Sequence, residues 1–110
     1  MTVVKFLADK NSLYGFSISG HSSVDCDDET GKIVCAAVSS AAYLTTNTIL
    51  EIIGDNASAK VEEAEMSLEV KNPSHETVTV LEGLKLHLTE LSGQYSNNIK
   101  IYGGAKYVKD

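Results

Sequence analysis

The stretch Lys32-Ile33-Val34-Cys35-Ala36-Ala37-Val38-Ser39-Ser40-Ala41-Ala42-Tyr43-Leu44, continuing to Ile53, decides how this chain is read. Its apolar and small residues recur at three- and four-residue spacing with no Pro or Gly inside, which predicts one helix over residues 32–53, about 33 Å long at 1.5 Å per residue. Gly54-Asp55-Asn56 ends it. Ile33, Ala37, Ala41 and Leu44 lie on one side, and Val34, Val38, Ala42, Ile49 and Ile53 on another. A helix without a polar face has to be covered on more than one side. One sheet can cover one face, so a second copy of the chain is expected on the other, as a homodimer.

Working outward, the apolar period changes from helical to alternating. Val3 to Leu7 and Leu13 to Ser19 predict two strands joined by a turn at residues 9–12. Residues 58–63 and 66–71 predict a second hairpin, with Met66, Leu68 and Val70 on one face. A second, amphipathic helix follows: Pro73 stands near its start, Asn72 or Ser74 caps it, and Val78, Leu81, Leu84, Leu88 and Leu91 form its stripe. Gly93 is expected just beyond its end. A last strand runs over residues 98–102. The order ββαββαβ predicts an α+β fold, a two-layer sandwich with both helices on one face of a largely antiparallel or mixed sheet. Residues 1–110 are expected to form one domain.

Composition excludes several classes of function. The net charge of −6 disfavours sequence-independent binding to nucleic acid, which relies on Lys and Arg replacing counterions. The apolar stretches look too short, and too interrupted by Ser, Thr and Asn, for a membrane span, and the first residues read as a strand and not as an export signal. A cytoplasmic protein without cofactor is expected. In that compartment Cys26 and Cys35 are expected as reduced thiols, a transient bridge between them remaining open.

Chemistry concentrates between the second strand and the first helix. Cys35 is expected in the helix's first turn, where unpaired N–H groups favour a thiolate, and the N–H groups near Cys35 and Ala36 are candidates to hold an oxyanion. His21 follows Gly20 at the end of the second strand, where an imidazole within hydrogen-bond reach would serve as its base. Residues 20–31 read as a loop, with Asp25, Asp27, Asp28 and Glu29 as a solvated run or a docking surface for a basic peptide. His75 and His87 read as surface residues. Two other readings use the same residues. His21, Cys26, Cys35 and the carboxylates form a mixed set for a metal or redox site, although no Cys-x-x-Cys pair is present. Alternatively Cys35 is a packing residue in a non-enzymatic, homodimeric interaction module.

The motifs Gly20-His21 and Ile33-Val34-Cys35-Ala36-Ala37-Val38-Ser39, separated by a short polar loop, resemble those of the ribosomal-processing cysteine proteases, the Prp family. The resemblance implies an α+β homodimer in which His21 is general base and Cys35 nucleophile. It also implies a substrate, the N-terminal extension of large-subunit ribosomal protein twenty-seven, a ribosomal protein precursor. Gly20 and Ser39 match the family pattern as supporting residues. Lys32 departs from it, since many members carry Asp there. A third catalytic group would then come from Asp25, Asp27, Asp28 or Glu29, or be missing, which leaves a dyad of His21 and Cys35.

Overall fold

In the computed structural model, residues 1–10, 12–20 and 28–103 are described. Strand β1 (Thr2–Asp9) pairs with β2 (Ser12–Ser19). Helix α1 (Glu29–Asn47) runs on without a break into one π-helical stretch, Thr48–Ile53. Then come β3 (Ala57–Glu62), β4 (Glu65–Val70), α2 (His75–Gln94) and β5 (Ile99–Gly103), so the expected ββαββαβ order and α+β class hold. The sheet order is β3-β4-β2-β1-β5, and all neighbours are antiparallel except β1 and β5.

Alternation along the strands builds the helix-facing side of the sheet. Val4 stands opposite Ile18 and Phe6 opposite Phe16, while Ile18 and Phe16 stand opposite Met66 and Leu68. All six side chains are buried. Opposite residues share a face, so this register puts one apolar surface under the helices and leaves Lys5, Glu69 and Lys100 on the solvent side. Beta2 and β4 approach closely at Gly15, where a Cβ would run into the Leu68 carbonyl. Val34, Val38, Ala42 and Ile49 from the first helix, with Leu81, Leu84 and Leu88 from the second, close the core.

Topology fixes where each helix sits. Alpha1 carries the chain from β2 across β4 to β3, which runs parallel to β2; α2 carries it from β4 across β2 and β1 to β5, which runs parallel to β4. So α1 lies over the β4 side of the sheet and α2 over the β2–β1 side. By length and composition alone Glu29–Ile53 would also suffice to cross a bilayer, contrary to the sequence expectation. Here its sheet-facing stripe is packed in the core.

Both helix boundaries differ from those expected. Alpha1 starts at Glu29, three residues before residue 32, because the Asp28 carboxylate accepts a 2.6 Å hydrogen bond from the Gly31 N–H and caps the helix. The second helix begins as expected after a Ser74 cap, whose hydroxyl accepts from the Thr77 N–H at 3.3 Å. It then runs through Gly93 to Gln94. Gly93 is not among the residues of positive φ, so it continues the helix, and the last turn closes with Tyr95 N–H donating to Leu91 C=O.

Candidate active site

Gly20 ends β2 with φ at +80°, the left-handed region that suits glycine, and its N–H donates to Ala64 C=O at 3.0 Å in the β3–β4 turn. The chain therefore leaves the sheet at the end where β3 and β4 meet. The far end of the first helix connects to β3 through Gly54-Asp55-Asn56 alone, at the opposite end of the sheet. Alpha1 thus begins at the same end as Gly20. His21, Asp25 and Asp27 lie outside the described residues, as does the 22–27 part of the loop.

Cys35 is half-buried on the second turn of α1, with half-buried Ser39 one turn further along. At 100° per residue, both lie on the flank turned away from α2 and toward the β3 edge, since Val34, Val38 and Ala42 face the sheet. The longer helix changes the chemistry available to the thiol. Lys32 N–H already donates to Asp28 C=O at 3.0 Å, so the N–H groups of Cys35 and Ala36 fall within the helical ladder. Those two groups are not the free oxyanion donors the sequence suggested. The field of the helix terminus also fades beyond the first turn, leaving Cys35 to depend on a neighbouring base.

The expected reduced thiol is likewise not found at this position: Cys35 is in a disulfide. The one other cysteine in the sequence, Cys26, is outside the described residues. A disulfide sulfur does not attack a carbonyl, so nucleophilic chemistry requires reduction first. Asp28 is committed to the helix cap, and Glu29 is exposed in the first turn, where a carboxylate is favoured by the helix field. Lys32 is exposed. Among the described residues no three His, Cys, Asp or Glu side chains are grouped to hold a metal ion.

An apolar groove lies elsewhere among the described residues. It is open and apolar, about 650 Å³, and runs between the helices along Ala37, Ala41 and Leu44 of α1 and Val80, Leu84 and His87 of α2. It occupies the flank of α1 opposite Cys35. In its lining Leu44 is 70% exposed, and Ile52 near the helix end is 80% exposed, large apolar surfaces for a helix of this fold.

The fold is an α+β sandwich whose first crossover helix starts at the Gly20 end of the sheet and carries Cys35 on its second turn. A family model described as cysteine protease Prp matches residues 1–100, and the chain belongs to that family and is a cysteine protease. Among curated proteins nothing matches. The ribosomal processing protease Prp from S. aureus, solved in complex with a substrate peptide, is similar at TM-score 0.84 and 17% identity, over 94% of this chain and 100% of that one. The same protease with a covalently linked product peptide gives 0.77 and 18%, with the same coverage. SMU.848 from Streptococcus mutans gives 0.81 and 22%, over 93% of this chain and 96% of that one.

Proposed function

We propose that this cysteine protease acts in the cytoplasm as a single-domain endopeptidase that removes the N-terminal extension of large-subunit ribosomal protein twenty-seven. Cys35 is its nucleophile and His21 its general base. The observation that carries the reading is the family match over residues 1–100, together with Cys35 lying on the helix that starts at the Gly20 end of the sheet. The S. aureus relative is itself described as a ribosomal processing protease. His21 takes the thiol proton; the thiolate attacks the scissile carbonyl, the S–C bond forms and the C–N bond breaks as His21 protonates the leaving amine. Water, activated by His21, then hydrolyses the thioester. Gly20 holds the strand end that delivers His21, and Ser39 supports the Cys35 turn. Asp25 and Asp27 are the remaining candidates to orient the histidine, with Asp28 occupied as a cap.

The same reading makes the protein a homodimer, with the second copy on the apolar groove between the helices. Sedimentation of Leu44→Glu checks this: a charge there is expected to give a monomer, and an unchanged mass would remove the groove as the interface. Catalysis is tested by incubating the chain, with and without dithiothreitol, with a peptide spanning the extension junction, beside Cys35→Ser and His21→Ala. Cleavage by the reduced wild type alone is expected. Equal cleavage by all three would overturn the mechanism, and cleavage by none would overturn the substrate.

A further inference from the structure

We infer that the free edge of β3 is the docking strand for the peptide substrate, which adds to the sheet as a sixth strand and is thereby laid alongside the Cys35 flank of α1. This rests on the cysteine protease reading above and concerns how that site receives its chain. Among the described residues β3 is an edge strand, paired with β4 on one side, and from Ser58 to Glu62 every residue is exposed.

The register identifies which backbone groups are open. Lys71 N–H donates to Asn56 C=O at 2.9 Å, and these residues are opposite one another, so Asn56 begins the series of hydrogen-bonded pairs. Two-residue periodicity continues that series at Ser58, Lys60 and Glu62, which turn their N–H and C=O toward β4. Ala57, Ala59 and Val61 therefore turn theirs outward. Their side chains share the helix-facing side with Val70, Leu68 and Met66, their opposite residues. They are small or apolar, and Val61 is 54% exposed. An incoming strand thus meets six backbone hydrogen-bonding groups and a low apolar ledge, on the face of the sheet that the helices cover.

Two further observations select the occupant. An exposed edge is ordinarily blunted by Pro, a bulge or a row of lysines, and β3 has one lysine, no Pro and an uninterrupted register with β4. At the site end of that edge, exposed Glu62, Glu63 and Glu65 stand at and beside the β3–β4 turn, with Asp28 and Glu29 at the start of α1. A basic, extended peptide complements both the open backbone and this charge, which is the β-addition mode of peptide recognition.

The test separates docking from catalysis. Ala59→Pro removes one outward N–H from an edge strand, a position where Pro is compatible with pairing to β4. It is expected to raise KM for the junction peptide about tenfold, by loss of a backbone hydrogen bond and of close approach, while the rate of Cys35 alkylation by iodoacetamide stays as in the wild type. With the wild-type enzyme, a peptide series N-methylated one position at a time is expected to lose binding at alternate positions. Loss with no two-residue alternation, or an unchanged KM in Ala59→Pro, overturns the proposal. So does conversion of a dimer to a monomer by Ala59→Pro, which would assign the edge to a second copy. No Cys35-dependent cleavage of the unmethylated peptide would instead overturn the protease assignment itself.

Discussion

The two crossovers, β2-α1-β3 and β4-α2-β5, each join two parallel strands through a helix and are finished differently. At the entrance to α2, Asp55 accepts hydrogen bonds from the Ser74 N–H at 2.8 Å and the Ser74 hydroxyl at 2.9 Å, tying the end of the first crossover to the start of the second. Farther along, buried Lys85 reaches from the helix to the Gly103 carbonyl at 2.7 Å and passes 5.9 Å from the Phe6 ring centre. Alpha1 starts on its own Asp28 cap, a bond within the helix terminus, and ends in a π-helical stretch with Ile52 in solvent. The difference separates a crossover that secures the sheet from one that offers surface. Helix α1 carries Cys35, the proposed nucleophile, on one flank and an apolar groove on the other.

If that division is right, substitutions on the two helices fail in opposite ways. The largest effect is expected from Cys35→Ala, which lowers cleavage by about a thousandfold or more while leaving the denaturation midpoint of the reduced protein close to that of the wild type. A large fall in stability with residual cleavage would instead make Cys35 a packing residue. Lys85→Met is the counterpart on α2. It keeps the apolar stem but loses a hydrogen bond from a charged donor, so urea unfolding is expected to show a loss of about 1.5–3 kcal/mol. The kcat of the remaining folded enzyme is expected to be unchanged. A lowered kcat at full stability would place Lys85 in the catalytic crossover's machinery.

How far the sequence carried the description follows the same division. Strands and helices were readable because Val4, Phe6, Ile18 and Leu68 alternate and Leu81, Leu84 and Leu88 recur at helical spacing, both local patterns. The start of α1 was not, because Asp28 looks like one more member of an acidic loop until its carboxylate is seen on the Gly31 N–H. Gly31 itself reads as a breaker, yet it is buried in the first helical turn. Lys85 and Asp55 gave no signal at all. Their partners lie 18 and 19 residues away in sequence, and nothing in a charged side chain's neighbourhood announces such a contact. For the site, the family motifs supplied His21 and Cys35; the helix position of Cys35 and its disulfide came only with the structure.

The smallest effect sharpens the comparison through pH. The Ser74 backbone N–H, foremost among its hydrogen-bond donors, holds the Asp55 carboxyl below its ordinary value of 3.8. A carboxylate whose pKa is lower in the folded than in the unfolded protein binds fewer protons when folded, so its stabilisation is complete above the unfolded value and declines as pH falls through the folded one. Asp55→Asn removes that dependence. The variant is expected to melt below the wild type at pH 7, with the gap narrowing below about pH 4, where the unfolded carboxyl begins to take up its proton. Thermal melts of both proteins across that range measure it directly. A gap that stays constant into acid would mean that the Asp55–Ser74 contact acts by shape alone, and that charge plays no part in fastening the second crossover to the first.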